Sequence, residues 1–150
     1  MSNSVKISVS QTDIAKMIDL ALLQPNMTDA EIRAGLETAK KFKTATACIK
    51  PYSIPMAKEV LAGSGVLICP VIGFPHGNSS TNVKVYEATE AVKAGGNEID
   101  MVINVAKALS GDWEYVEDEI KLVNDAVVSG GAILKVIFEV CNLFPFAKPP

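Results

Sequence analysis

The 150 residues carry 14 lysines and arginines against 17 aspartates and glutamates, a net charge of −3, and 49% are hydrophobic, enough for the core of one ordinary domain. With no basic patch interleaved with aromatics, this balance argues against a nucleic-acid partner. The longest apolar runs, 66–74 and 133–141, are far shorter than a membrane span.

The start of the chain is polar and has no apolar signal region. Cys48, Cys69 and Cys141 are odd in number and sit in apolar surroundings, the pattern of reduced thiols in a cytoplasmic protein rather than a disulfide framework. His76 is the single histidine, so a multi-histidine metal site is excluded. No metal and no cofactor is expected.

Residues 2–10 alternate and are polar, an arm or short edge strand. Thr12 and Asp13 offer a cap for a short helix over 14–18. Residues 19–23 suit a first strand, closed by Gln24 and Pro25. Thr28 and Glu31 form a capping box that opens a helix through Phe42, with Ile32, Leu36 and Ala39 on its apolar stripe. A second strand over 45–50 stops at Pro51, and Pro55 suits the first turn of a helix over 56–61 that Gly63 ends. The third strand, 66–74, contains Pro70, which donates nothing to a ladder, so irregular pairing is expected there.

Ser79, Ser80 or Thr81 caps the next helix, which runs to Ala94 with Val85, Ala88 and Val92 inward. Residues 98–104 form the fourth strand. Trp113, Val116, Ile120, Val123 and Val127 then recur at helical spacing over 113–128, Gly130 and Gly131 end that helix, and 133–139 is the fifth strand.

Strand and helix thus alternate five times, at about thirty residues a unit, which calls for a parallel sheet covered by helices. An open doubly wound sheet needs both strand faces apolar. Here one face carries Asp19, Cys48, Lys50, Asp100, Asn104, Lys135 and Glu139, and the other carries Leu20, Ile49, Ile99, Met101, Leu134, Val136 and Phe138. One polar face per strand is the pattern of a barrel interior that holds a site. The fold class expected is α/β, with parallel β/α units making up about five of the eight strands of a closed barrel. A carboxylate such as Asp100 inside an apolar strand is costly unless paired or put to use.

Five stretches, in order across residues 12–139, then match a known family: Ile18-Asp19-Leu20-Ala21-Leu22-Leu23-Gln24-Pro25, Ala47-Cys48-Ile49-Lys50-Pro51, Val71-Ile72-Gly73-Phe74-Pro75-His76-Gly77, Glu98-Ile99-Asp100-Met101-Val102-Ile103-Asn104 and Leu134-Lys135-Val136-Ile137-Phe138-Glu139. The chain resembles the N-terminal part of deoxyribose-phosphate aldolase, a Schiff-base (class I) aldolase on a TIM barrel. The resemblance implies a lyase of deoxyribonucleotide catabolism that reversibly cleaves 2-deoxy-D-ribose 5-phosphate to acetaldehyde and glyceraldehyde 3-phosphate. It implies Asp100 as the acid/base carboxylate and Asp19, Cys48 and Lys135 as lining of the same pocket, with Lys135 either the cation beside the reactive amine, an organiser of the pocket, or the ion-pair partner of Glu139 or Asp100. Asn104 and Glu139, on the same strand face, complete the expected substrate pocket. An amine attacks a carbonyl only as the neutral base, a neighbouring cation lowers its pKa, and a carboxylate moves the protons. His76 is expected on a loop at a strand end, in a surface or packing role.

Ala21 stands where the family has a hydroxyl residue, and Gln24 where a lysine is frequent. The family's Schiff-base lysine lies on a sixth strand in a Lys-Thr-Ser-Thr-Gly-like motif, and this sequence contains no such motif; the one lysine after Lys135 is Lys148. The expected organisation is therefore a partial barrel domain over 1–139 and a divergent, apolar, proline-rich tail over 140–150, truncated before the reactive lysine and inactive alone. Small phosphorylated sugars or aldehydes are the expected partners, and the open edges of the sheet would support association as a homo-oligomer. Two alternatives are a catalytically dead remnant acting as a binding or regulatory protein, and an unrelated open α/β small-molecule-binding domain.

Overall fold

A computed structural model describes residues 8–143 of the chain. Five strands, β1 (Asp19–Leu22), β2 (Thr46–Ile49), β3 (Leu67–Ile72), β4 (Glu98–Val102) and β5 (Ile133–Ile137), pair in parallel in the order β1-β2-β3-β4-β5. Between and around them lie α1 (Gln11–Ala15), α2 (Asp29–Phe42), α3 (Ile54–Leu61, preceded by a 3-10 turn at Pro51–Ser53), α4 (Thr81–Ala94), α5 (Val105–Leu109), α6 (Trp113–Ser129) and α7 (Val140–Leu143).

Strand order equals sequence order, with no reversal, so right-handed crossovers deliver successive helices to the same face. A doubly wound sheet would need that reversal. The apolar side chains of α2, α3, α4 and α6 form one cluster with Ala47, Ile49, Ile68, Ile72, Ile99, Met101 and Ile103 of the strand segments. This is a barrel's wall of β/α units. Among the described residues the barrel is not closed, and β1 and β5 are the edges of the sheet.

Local chemistry sets most boundaries. Thr28 accepts from the Glu31 amide and Glu31 returns to the Thr28 amide at 2.7 Å, so α2 starts at the expected capping box. The cap of α1 is Ser10, boxed with Asp13, which starts that helix three residues before the expected position. Residues 8–10 form no strand, and the rest of the arm expected over 2–10 lies outside the described residues, as does the tail from 144 to 150. Pro70 has the expected effect: the β3–β4 ladder is confined to Val71–Asp100 and Ile72–Met101. Before it, the Asn97 side chain accepts the Ile68 amide at 2.9 Å in place of a strand neighbour.

Two side chains depart from the helical stripes read from the sequence. Lys84 of α4 and Glu119 of α6 are both 0% exposed, with Nζ 2.9 Å from Oε1. Lys84 also donates to the Val102 carbonyl at 2.8 Å, and the Asn104 amide donates to Glu119 Oε2 at 3.0 Å. This pair ties two helices to the end of β4. Gly73 makes room for it, since a Cβ there would lie 2.9 Å from Lys84 Cε. Trp113, which shares the helical spacing of the core positions, is exposed: it is the first residue of α6, directly after the Asp112 cap, and points away from the core.

Candidate active site

Alternation along the strands turns Asp19, Thr46, Cys48, Cys69, Val71, Glu98, Asp100 and Lys135 to the face opposite the helices. Lys135 organises it. Its Nζ lies 2.5 Å from Asp19 Oδ2, 3.1 Å from Glu98 Oε2 and 3.2 Å from Asp100 Oδ1. Asp19 also accepts the Thr46 hydroxyl at 2.8 Å. Asp100 faces the lysine with one oxygen, in charge contact without an aligned hydrogen bond, and takes the Cys48 thiol on the other, Sγ to Oδ2 being 3.5 Å.

Asp19 and Lys135 sit on the two edge strands. In a flat sheet four strand spacings would separate them by about 19 Å, beyond the reach of the two side chains. Their ion pair therefore requires the sheet to be strongly curled, with this face concave. The curvature is that of a barrel wall, and the acids and the lysine meet inside it.

The electrostatics follow from this packing. Burial opposes the charge on Lys135, but the hydrogen bond to Asp19, the bond to Glu98 and the charge of Asp100 outweigh it and raise its pKa. Lys135 is thus an ammonium at neutral pH. Burial would raise the Asp19 carboxyl, yet the bonds from Lys135 and Thr46 hold it below its ordinary range. Hydrogen bonding to Cys48, burial and the neighbouring Asp100 charge push the Cys69 thiol well up, so it is protonated.

Asp19, Cys48, Asp100 and Lys135, read from the sequence as one constellation, thus stand together. Two other candidates do not join them. β4 ends at Val102, and Asn104 instead caps α5, its side chain accepting from the Lys107 amide at 3.2 Å. β5 ends at Ile137, and Glu139 has a left-handed φ of 53° and takes the Asn142 side chain at 3.2 Å rather than Lys135. In both cases the apolar run continues past the last ladder residue, so alternation was extended beyond the strand. His76 is exposed in the turn after β3. Thr46, Cys69 and Glu98 were missed, although all three fall on the polar parity of their strands.

A cavity of about 290 Å³ opens beside the cluster, at the C-terminal ends of β1 to β3, lined by Leu23, Pro25, Lys50, Phe74 and Glu87 among others. It touches the concave face through Val71 and does not include Asp100 or Lys135. In β/α barrels that end of the strands carries the site.

No protein-family model matches the chain. Over 131 residues it is 42% identical to a deoxyribose-phosphate aldolase of Rhodopirellula baltica, covering 87% of this chain and 54% of that one. The chain is a relative of the deoxyribose-phosphate aldolases. It superposes with a TM-score of 0.85 on a Coccidioides immitis structure assigned as a deoxyribose-phosphate aldolase, at 34% identity, covering 93% of this chain and 54% of the other. The tetrameric deoxyribose phosphate aldolase of Aeropyrum pernix gives a TM-score of 0.78 at 32% identity, covering 87% and 54%. The chain thus spans little more than half the length of the aldolases it matches. Among the described residues no helix is long and apolar enough to cross a membrane.

Proposed function

We propose that the concave cluster is the acid–base portion of a Schiff-base aldolase site acting on 2-deoxy-D-ribose 5-phosphate, with acetaldehyde and glyceraldehyde 3-phosphate as products. The observation that carries this reading is the buried Asp100, held between the Lys135 ammonium and the Cys48 thiol on a polar face of an otherwise apolar strand. Held there, a carboxylate can pass a proton to and from carbon or oxygen of a substrate bound through an iminium. Lys135, a fixed cation among acids, lowers the pKa of an amine placed beside it and orients Asp100; its raised pKa suits it to that work and not to nucleophilic attack. Asp19, held by the Thr46 hydroxyl, positions Lys135 from the opposite edge, and Cys48 lines the pocket.

The attacking amine is not supplied by this sequence, whose lysines lack the family's Schiff-base motif. The chain by itself is therefore catalytically silent, a partial barrel over 1–139 in the cytoplasm. The open edges β1 and β5 are where further β/α units, or a second copy in a homo-oligomer, would pair.

The test is to produce the chain alone and together with the lysine-bearing remainder of the Rhodopirellula baltica relative. Borohydride in the presence of deoxyribose 5-phosphate should trap nothing on this chain alone and should trap the remainder's lysine in the mixture. A stable adduct on a lysine of this chain, or a mixture indifferent to Asp100→Asn, would overturn the reading.

A further inference from the structure

On the same concave face two thiols flank the Asp100 carboxylate, and one of them, Cys69, has no part in the acid–base reading. Cys48 of β2 and Cys69 of β3 are partners in the parallel register, both buried, and the two sulfurs and an Asp100 carboxylate oxygen all lie within 4.8 Å of one another. We propose that Cys48, Cys69 and Asp100 form a binding site for a thiophilic divalent cation of the zinc or cadmium type.

The geometry fits such an ion. Tetrahedral zinc holds sulfur at about 2.3 Å and carboxylate oxygen at about 2.0 Å, which puts the two ligand atoms about 3.5 Å apart. The Cys48 sulfur and Asp100 Oδ2 stand at 3.5 Å already, so these two ligands can close on one ion with little movement. Three strands of one sheet carry the three ligands, so their relative positions are fixed by the β2–β3 and β3–β4 pairings rather than by a loop. The fourth position faces the concave side, where a water or another small ligand completes the tetrahedron.

Charge favours it too. Around the site one ammonium, Lys135, stands among the three carboxylates Asp19, Glu98 and Asp100. The cluster is net anionic before any ion enters. Two thiols that bind a divalent cation each release a proton, so the ion adds no net charge to a half-buried site. Lys135 keeps Asp19 and Glu98 as partners when Asp100 turns to the metal. Two sulfurs in the set select against magnesium and calcium, which take oxygen ligands.

This site does not depend on the aldolase reading. The probe is cadmium chloride, titrated into the reduced full chain while the ultraviolet thiolate-to-metal charge-transfer band and the number of titratable thiols are followed. One ion per chain should bind, two thiols should become unreactive, and the thermal midpoint should rise with cadmium concentration, since only the folded state presents the site. Cys141, exposed after β5, is the internal control, and Cys141→Ser should leave all three readouts unchanged. Cys48→Ser, Cys69→Ala and Asp100→Asn should each weaken binding at least about tenfold, the lower range seen even for changes outside the ligand set of a metal site. Magnesium chloride should produce no shift. A band that follows Cys141, or cadmium affinity retained in both Cys48→Ser and Cys69→Ala, would overturn the proposal. So would an unshifted thermal midpoint in the unsubstituted chain, a result that does not depend on whether any variant folds.

Discussion

Replacing Lys84 by methionine removes a cation that is 0% exposed and faces a carboxylate equally buried. The methionine fills most of the volume, so the loss is electrostatic rather than a cavity. Glu119 would keep the Asn104 amide on Oε2 and lose the one opposite charge it meets among the described residues, and the Val102 carbonyl would lose the Lys84 donor. Breaking one side of a buried pair costs about 3–5 kcal/mol, against a total of about 5–15 kcal/mol for a domain. Glu119→Gln added to Lys84→Met removes the stranded charge and retains an acceptor for Asn104. The double variant then carries mainly an unpaired carbonyl, worth about 1–3 kcal/mol, and should be more stable than Lys84→Met alone. Equilibrium urea unfolding measures Lys84→Met, Glu119→Gln and the double variant, with a lower midpoint and an unchanged slope expected for each. A loss below about 1 kcal/mol for Lys84→Met, or a double variant that loses the sum of the two single changes, would refute the reasoning, because independent sites add and a shared buried charge does not.

Thr28→Ala should destabilise by about 1 kcal/mol through loss of the α2 cap, and Thr28→Ser should restore most of it, both read by urea unfolding. Gly77 combines a φ of 65° with a would-be Cβ 1.8 Å from the Ile103 carbonyl oxygen, so Gly77→Ala should cost on the order of 3 kcal/mol or more, seen as a lowered thermal midpoint. Asp19 has a folded pKa below its ordinary 3.8, so its contribution is present above that value and is lost as pH falls through the folded pKa. Lys135 is shifted upward from 10.5, so its contribution is complete below that value and is lost as pH rises through the folded pKa. Stability against pH should accordingly be flatter on the acid side in Asp19→Asn and on the alkaline side in Lys135→Met than in the unsubstituted chain.

The concave face was legible because strand alternation is a hard geometric rule: once Asp19, Cys48, Asp100 and Lys135 were seen on one parity, only the curl of the sheet was needed to bring them together. The same parity carried Glu98, two residues before Asp100, and Thr46, two before Cys48. Each is the first residue of its strand, where a polar side chain reads equally well as the end of the preceding loop. Strand ends were less legible. Apolar residues run on through Ile103 and Phe138 after the ladder stops, so Asn104 and Glu139 lie past the last paired residues, where alternation no longer fixes a face, and asparagine just before a helical stretch is a capping signal in its own right. The Lys84–Glu119 pair left no trace in an apolar stripe, since helical periodicity searches for hydrophobic residues and these are charges buried only because each meets the other. Trp113 misled in the opposite direction, an apolar residue at a helix start where the core does not reach.

The contact between the two edge strands is what separates a barrel wall from an open sheet. The direct measurement is nuclear Overhauser contact between the Lys135 ε-methylene and the Asp19 β-methylene in the labelled full chain, together with the Asp19 carboxyl titration in Lys135→Ala. A cross-peak between the two residues, and an Asp19 carboxyl that titrates at higher pH once the lysine is gone, is the result expected of the curled sheet. Lys135 contacts limited to Glu98 and Asp100, with Asp19 titrating unchanged in Lys135→Ala, would contradict it.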